Sequence, residues 1–173
     1  MGLLNKAYDL YYRLIFTKVT CPFNSRDNLF QLTFDENWEY SRKGNSFYSF
    51  HNRKDNLKGG LQLSLTWHVK PPKEMNEKEV VLNIINTEEN ASVEVETVSL
   101  SNCNAYHFSR KYNDSNMIFY YWYIYKKEIL MIITFMIFED ETDSVKNNWL
   151  TRVVGILNSL NLDIDRFQKT RMR

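Results

Sequence analysis

Met117-Ile118-Phe119-Tyr120-Tyr121-Trp122-Tyr123-Ile124-Tyr125, then Lys126-Lys127, then Glu128-Ile129-Leu130-Met131-Ile132-Ile133-Thr134-Phe135-Met136-Ile137-Phe138, is the stretch that decides the fold. Nearly every position is aromatic or aliphatic, and ring-bearing and β-branched side chains fit a pleated surface. Strands with no polar face are usually covered on both sides. The paired lysines mark a tight reversal, so the stretch is predicted to fold back on itself as the two inner strands of an antiparallel sheet. Its longest apolar run, Ile129 to Phe138, is about half of what a membrane-spanning helix requires.

Upstream, Leu61 to Val69 alternates cleanly. Leu61, Leu63, Leu65, Trp67 and Val69 face one way, and Gln62, Ser64, Thr66 and His68 the other. Phe30, Leu32 and Phe34 mark another strand, Trp38-Glu39-Tyr40 a short extended piece, and Ser46 to His51 a third strand after a turn at Lys43-Gly44-Asn45. Gly59-Gly60 reads as hairpin punctuation, and Val19 to Asn28 as a connector. Pro71-Pro72 stops the alternating strand. Asn76 and Glu79 then form a capping-box pattern, with Met75 and Val80 placed as a hydrophobic staple. Val80, Val81, Ile84 and Ile85 form the buried stripe of that helix.

Strands resume over Ser92 to Leu100. There the apolar phase shifts from Val93 and Val95 to Val98 and Leu100, which signals either cover on both faces or a bulge. Ala105 to Tyr112 follows a turn at Ser101 to Asn104. Downstream of the central stretch, Val145, Trp149, Val153, Ile156, Leu157 and Leu160 give a helix from about Ser144 to Leu160 one apolar face. Glu139, Asp140, Glu141 and Asp143 gather at its positive end, and Asn161 is placed to end it in a left-handed conformation. The order implies an α+β chain, an α/β/α sandwich with a central antiparallel sheet and helices on its faces. Residues 1–28 read as an amphipathic helix and connector, 29–162 as the sandwich domain, and 163–173 as a basic tail.

The chain has 173 residues, 43% hydrophobic and 25% charged, which suits one domain. Its net charge of +1 offers no electrostatic case for nucleic acid or an anionic membrane. Cys21 and Cys103 stand apart and in no metal-binding spacing, which fits two thiols in a reducing compartment, although a disulfide between them stays open. Before Thr17, Leu4, Ala7, Tyr8, Tyr11 and Ile15 recur at helical spacing. Lys6, Asp9 and Arg13 interrupt any signal-peptide core, so the expected location is the cytoplasm.

No phosphate loop, nucleophile elbow, zinc-protease or EF-hand signature occurs. His51, His68 and His107 read as sheet residues with no convergence of metal ligands. Cys103 and His107, four apart across a turn, lack the third group that nucleophilic catalysis needs. The aromatic strand is more informative. Phe119, Tyr121, Tyr123 and Tyr125 share one face, with Tyr120 and Trp122 on the other. Buried tyrosine hydroxyls need partners, and tyrosine and tryptophan anchor binding surfaces. Tyr121, Tyr123 and Tyr125 therefore border a binding groove, or else pack beneath a helix with their hydroxyls at the rim. Gln62, Ser64 and His68 are the other candidate binding groups.

Phe30-Gln31-Leu32-Thr33-Phe34, Asn37-Trp38, Tyr48-Ser49-Phe50 and Gly60-Leu61-Gln62-Leu63-Ser64 resemble the opening of PsbP/Mog-type domains. A crossover helix at Asn76 to Asn86, four antiparallel strands and a closing helix ending in Ser159-Leu160 continue the likeness, over about Leu29 to Leu162. Within that group the chain is most similar to small uncharacterised bacterial proteins. Asp35-Glu36 stands where the pattern commonly has proline before the tryptophan. The group includes extrinsic photosystem subunits, a Ran-binding import factor, and chaperone- or immunity-like proteins, and it shares no catalytic motif. With the missing catalytic signature and the aromatic strand, the resemblance leads to the expectation of a non-enzymatic protein that recognises another protein. Charge, spacing and hydropathy add the expectation of no cofactor, metal, nucleic acid or membrane, and a monomer or weak homodimer is expected. The alternative is a small-molecule-binding domain or enzyme with a pocket at the sheet edge.

Overall fold

The computed structural model describes residues 17–19, 22–25, 28–35, 37–44, 46–52, 59–67, 75–89 and 93–166. The helix expected before Thr17, Cys21, His68 with Val69, Pro71-Pro72 and most of the basic tail lie outside them.

The aromatic stretch folds back as predicted. Strand β9 (Met117–Lys126) pairs antiparallel with β10 (Ile129–Phe138), from Ile129 opposite Lys126 to Phe138 opposite Met117. The reversal sits one residue later than the lysine pair suggested. Lys127 and Glu128 both have positive φ, 47° and 69°, as a two-residue type I′ turn requires, and its twist matches that of the flanking strands. The remaining strands of this sheet are β1 (Thr17–Lys18), β4 (Trp38–Lys43), β5 (Phe47–Asn52), β6 (Gly59–Trp67), β7 (Glu96–Ser99) and β8 (Asn104–Lys111). Their order is β1-β4-β5-β6-β10-β9-β8-β7, with antiparallel pairing throughout. The hairpin is central.

Two stretches behave differently from their sequence reading. The supposed connector carries β2 (Phe23–Asn24), which pairs with β3 (Phe30–Leu32) in a separate three-stranded sheet closed by β11 (Asn161–Leu162). Buried Ser25 builds the β2–β3 turn, its Oγ accepting from the amides of Leu29 and Phe30 at 2.8 and 3.1 Å. Asn28 supplies the positive φ of 51°. Polar residues that looked like a loop are thus the turn of a hairpin whose Phe23 and Phe30 are core. Gly59 and Gly60 are not a turn either. Both lie inside β6, where a Cβ on Gly59 would sit 2.6 Å from the Phe135 ring. The glycine admits that ring.

Helix α1 (Glu77–Glu89) begins with the capping box read from sequence. The Asn76 amide donates to Glu79 Oε2 at 2.8 Å, and the Glu79 amide to Asn76 Oδ1 at 3.0 Å. Helix α2 (Asp143–Asn158) is capped by the Thr142 hydroxyl and ends at Ser159 in a right-handed conformation. Asn161 is therefore not a left-handed terminator; it continues into β11, opposite Gln31.

Alternate residues of a strand point to opposite faces, and the buried residues separate accordingly. Leu61, Leu63, Leu65, Trp122, Ile124, Met131, Ile133 and Phe135 share one cluster with Trp149, Val153, Ile156 and Leu157 of α2. Tyr106, Phe108, Tyr123, Tyr125 and Leu130 share another with Val80, Val81, Ile84 and Ile85 of α1. The phase change before β7 has the same origin: Val93 and Val95 pack with the α1 cluster, and Val98 and Leu100 belong with the other. Both faces are covered there, and no bulge is needed. The fold is α+β, dominated by antiparallel sheet.

Candidate functional site

Residues opposed in register share a face, which places the candidates. Across the sheet, Ser49 opposes Gln62, Gln62 opposes Thr134, Thr134 opposes Tyr121, and Tyr121 opposes Phe108. The next row runs Phe47, Ser64, Ile132, Tyr123 and Tyr106. Gln62 and Ser64 therefore lie on the same face as Tyr121 and Tyr123, although sequence periodicity alone treated them as separate groups. Tyr125 belongs to that face as well, and His68 lies outside the described residues.

Helix α1 divides this face. Tyr123 and Tyr125 are buried in its cluster, whereas Tyr121 is half-buried at the cluster's margin. Burial raises the pKa of the Tyr125 hydroxyl, and the nearby Glu128 carboxylate adds to the rise. Beyond Tyr121, away from α1, Phe119 opposes Met136 and Met117 opposes Phe138. Among the described residues these four side chains belong to neither buried cluster. Phe138 is 42% exposed, the one large hydrophobic side chain among them that is classed as open to solvent.

Tyr112 closes the patch from the end of β8. Its ring meets Phe119 edge-on at 5.2 Å, its hydroxyl lies 3.0 Å from that of Tyr121, and the Arg110 guanidinium stands 5.2 Å from its centre. Phe108 stacks on Tyr121 at 4.8 Å. Burial, first, and the hydrogen bond shared with Tyr112, second, push the Tyr121 hydroxyl far above the usual tyrosine range; the Arg110 charge opposes them. The shift favours the neutral hydroxyl, which serves here as a hydrogen-bonding group. The surface combines aromatic rings, two methionines and an arginine, the side chains enriched at protein interfaces, and methionine adapts its shape to what it meets. Tyr112, Met117, Met136 and Phe138 escaped the sequence reading. The signal was available in the hairpin register, which puts Phe138 beside Met117 once the turn is fixed.

Neither Gln62 nor Ser64 lines either of the two clefts formed by described residues. One cleft, about 320 Å³, lies at the β7–β8 edge and is lined by Val93, Glu94, Glu96, His107, Phe108 and Ser109. His107 stacks on Trp122 at 4.7 Å, with Nδ1 2.8 Å from the Tyr121 carbonyl oxygen. A smaller cleft of about 170 Å³ holds the free Cys103 thiol beside Lys126 and Leu160. Burial raises the pKa of that thiol, which keeps it protonated and poorly nucleophilic. Cys103 and His107 thus line different clefts. His51 is buried with Nε2 3.7 Å from Glu39. Among the described residues no group of three or more His, Cys, Asp or Glu side chains is arranged to hold a metal. No helix among them is long and apolar enough to cross a membrane.

No protein-family model matches the chain, and no curated protein does. Solved structures do. The chain has a PsbP-like fold, the class that its neighbours define. It is similar to cyanobacterial PsbP (CyanoP) from Synechocystis sp. PCC 6803, with a TM-score of 0.52 and 9% identity over 86% of this chain and 92% of that one. It is also similar to a protein from Bacteroides thetaiotaomicron, with a TM-score of 0.56 and 12% identity over 82% of this chain. The chain spans about half the length of that protein, 48%. Identities this low speak to fold alone.

Proposed function

We propose that the chain is a non-enzymatic binding protein that recognises another protein through the open end of the α1-side face. On this reading the architecture is an α/β/α sandwich, and the protein is bacterial, cytoplasmic, and a monomer or weak homodimer. Neither nucleic acid nor membrane is its target. One observation supports it most: Met117, Phe119, Met136 and Phe138, rimmed by Tyr112 and Tyr121, form an apolar surface outside both buried clusters. Such surfaces on soluble domains mark interaction sites. The partner that fits is a protein presenting an apolar side chain to seat against Phe119 and Phe138, within a polar rim.

The test is site-resolved cross-linking. A photoreactive phenylalanine replaces Phe138, or, as a control, the exposed Asn148 of α2. The reading requires one partner cross-linked from position 138 and not from 148, which then binds the purified chain in a saturable complex. Equal labelling from both positions would reject it.

A second reading has one observation in its favour. The edge cleft brings Glu94, Glu96, His107 and Ser109 around about 320 Å³, near the lower end of small-ligand sites. It takes a small cationic ligand. Saturable shifts of the His107 ring resonances on titration with a small-amine panel, lost in Glu96→Gln, would favour it over the first.

A further inference from the structure

Strand β7 ends the eight-stranded sheet, and among the described residues no strand lies against its outer side. An open sheet edge is a template for another strand. We propose that this edge takes an extended segment of a partner protein as a further antiparallel strand, with a lysine or arginine of that segment held beside Glu96. The inference rests on the second reading above in one respect, that the edge cleft takes a cation. It is independent of the Phe119–Phe138 patch.

Three observations carry it. The first is the direction of the backbone groups. The Leu100 amide donates to the Cys103 carbonyl oxygen at 2.9 Å, so the β7–β8 hairpin closes on a hydrogen-bonded pair. Such pairs alternate with open ones along an antiparallel ladder. Val98 opposite Ala105 and Glu96 opposite His107 therefore hold the next ladder bonds. Thr97 and Ser99 turn their N–H and C=O groups outward. An added strand binds such a row through main-chain hydrogen bonds, and its alternate side chains set the specificity.

The second is charge. Glu96 and His107 lie in the row that continues to Trp122, on the α2-side face. With Glu94 and Ser109 they line the cleft of about 320 Å³, and among the described residues no lysine or arginine lines it. Both glutamates are exposed, and neither is ion-paired among the described residues. A residue paired across from Glu96 shares its face, with Cβ atoms about 4.5–5.5 Å apart. A cation at that position meets the Glu96 carboxylate, in a cleft that Glu94 also makes acidic.

The third is the neighbour of that cation. Val98 is half-buried and packs against the α2-side core, so an apolar side chain opposite it extends the core to the edge. In antiparallel pairing the residue opposite Val98 comes two before the one opposite Glu96. The segment therefore reads apolar-x-basic. A second copy of this chain fits the edge less well. Self-pairing centred on Thr97 makes the two Glu96 side chains diagonal neighbours on one face, about 7–8 Å apart, with no cation between them.

Titration of the isotope-labelled full chain with the peptide acetyl-Ser-Val-Thr-Lys-Thr-Ser-amide tests this. The proposal requires saturable shifts and slowed hydrogen exchange at the Thr97 and Ser99 amides. N-methylation of the threonine between valine and lysine, whose amide faces β7, abolishes both. Glutamate in place of the peptide lysine weakens binding at least about fivefold, and the exposed-site variant Glu96→Lys inverts that preference. Absence of saturable shifts at millimolar peptide would overturn the proposal, as would indifference to N-methylation or to the sign of the peptide charge. If n-butylamine moves the His107 ring resonances while the peptide leaves Thr97 and Ser99 unmoved, the edge proposal fails and the small-ligand reading stands; silence from both probes removes both. Protection of the same amides in peptide-free protein that rises with concentration, alongside a dimer in sedimentation, would assign the edge to a second copy and overturn it too.

Discussion

Arg152 of α2 reaches Asp35, 117 residues earlier, donating from Nε and Nη2 to Oδ2 at 3.0 and 2.8 Å. The other carboxylate oxygen of Asp35 accepts from Trp38 Nε1. The Arg152 guanidinium also lies 4.4 Å from the centre of the Trp149 ring, which meets Trp38 edge-on at 5.9 Å. One carboxylate thus ties the start of β4 to the closing helix. Charge-assisted hydrogen bonds contribute about 1.5–3 kcal/mol, but half of the Asp35 side chain is open to solvent, which screens the pair. Asp35→Ala is expected to cost about 1–2 kcal/mol. Arg152→Lys keeps the charge and loses both the fork and the stacking, so it recovers less than half of that. Urea unfolding of the two variants and their double mutant measures the coupling.

Gly59 and Gly60 are adjacent in β6 yet unequal in what surrounds them. A Cβ at Gly59 would lie 2.6 and 2.8 Å from two atoms of the buried Phe135 ring, whereas one at Gly60 would lie 3.2 Å from the end of the flexible Met136 side chain. Overpacking a filled core costs about 1–3 kcal/mol. Gly59→Ala is expected to fall in that range and Gly60→Ala below about 1 kcal/mol, read from paired denaturation curves. Equal losses would mean that the Phe135 ring is not seated over Gly59.

The β9–β10 turn is held in place by its flanking strands, with two residues poorly suited to it. Lys127 and Glu128 carry positive φ values that asparagine and glycine adopt at lower cost. The Lys127 ion pair with Asp165 is long, 3.8 Å, and exposed, so its loss matters little. The double change Lys127→Asn with Glu128→Gly is expected to stabilise the fold by about 0.5–1 kcal/mol. A lower melting temperature would show that the turn is not of this type.

Tyr121 makes alkaline stability a reporter of the patch. Its hydroxyl titrates near pH 10 in an unfolded chain and well above that in the folded one. The unfolded state therefore loses its proton first. The tyrosine's contribution is fully present below about pH 10 and falls as pH rises from there toward the folded value. Tyr121→Phe removes the link to Tyr112, costs about 0.5–1.5 kcal/mol at neutral pH, and is expected to flatten the loss of stability above about pH 10. Parallel alkaline profiles for wild type and variant would contradict the assigned environment.

Much of the architecture was legible because the determining signals were local. The apolar hairpin, the alternation of Leu61 to Leu65 and the Asn76–Glu79 box each require only neighbours in sequence. What escaped depended on distant partners. Phe23 reads as loop because its companions, Phe30, Tyr40, Tyr48 and Phe50, come from three later strands. Gly59 reads as a turn because nothing nearby announces the Phe135 ring. Periodicity put Tyr121, Tyr123 and Tyr125 on one face, but which of them α1 buries depended on where that helix settles, and periodicity does not carry that information.

The central claim is that the Phe119–Phe138 surface is where a partner seats. The most direct measurement is the affinity of the purified cross-linked partner for wild type and for Phe138→Ser, beside the unfolding midpoint of each. A central aromatic anchor contributes 2 kcal/mol or more, about thirtyfold in affinity, and an exposed position tolerates serine with little change in stability. The account predicts a loss of about thirtyfold or more with the midpoint unmoved. Unchanged affinity in a folded Phe138→Ser protein would contradict it.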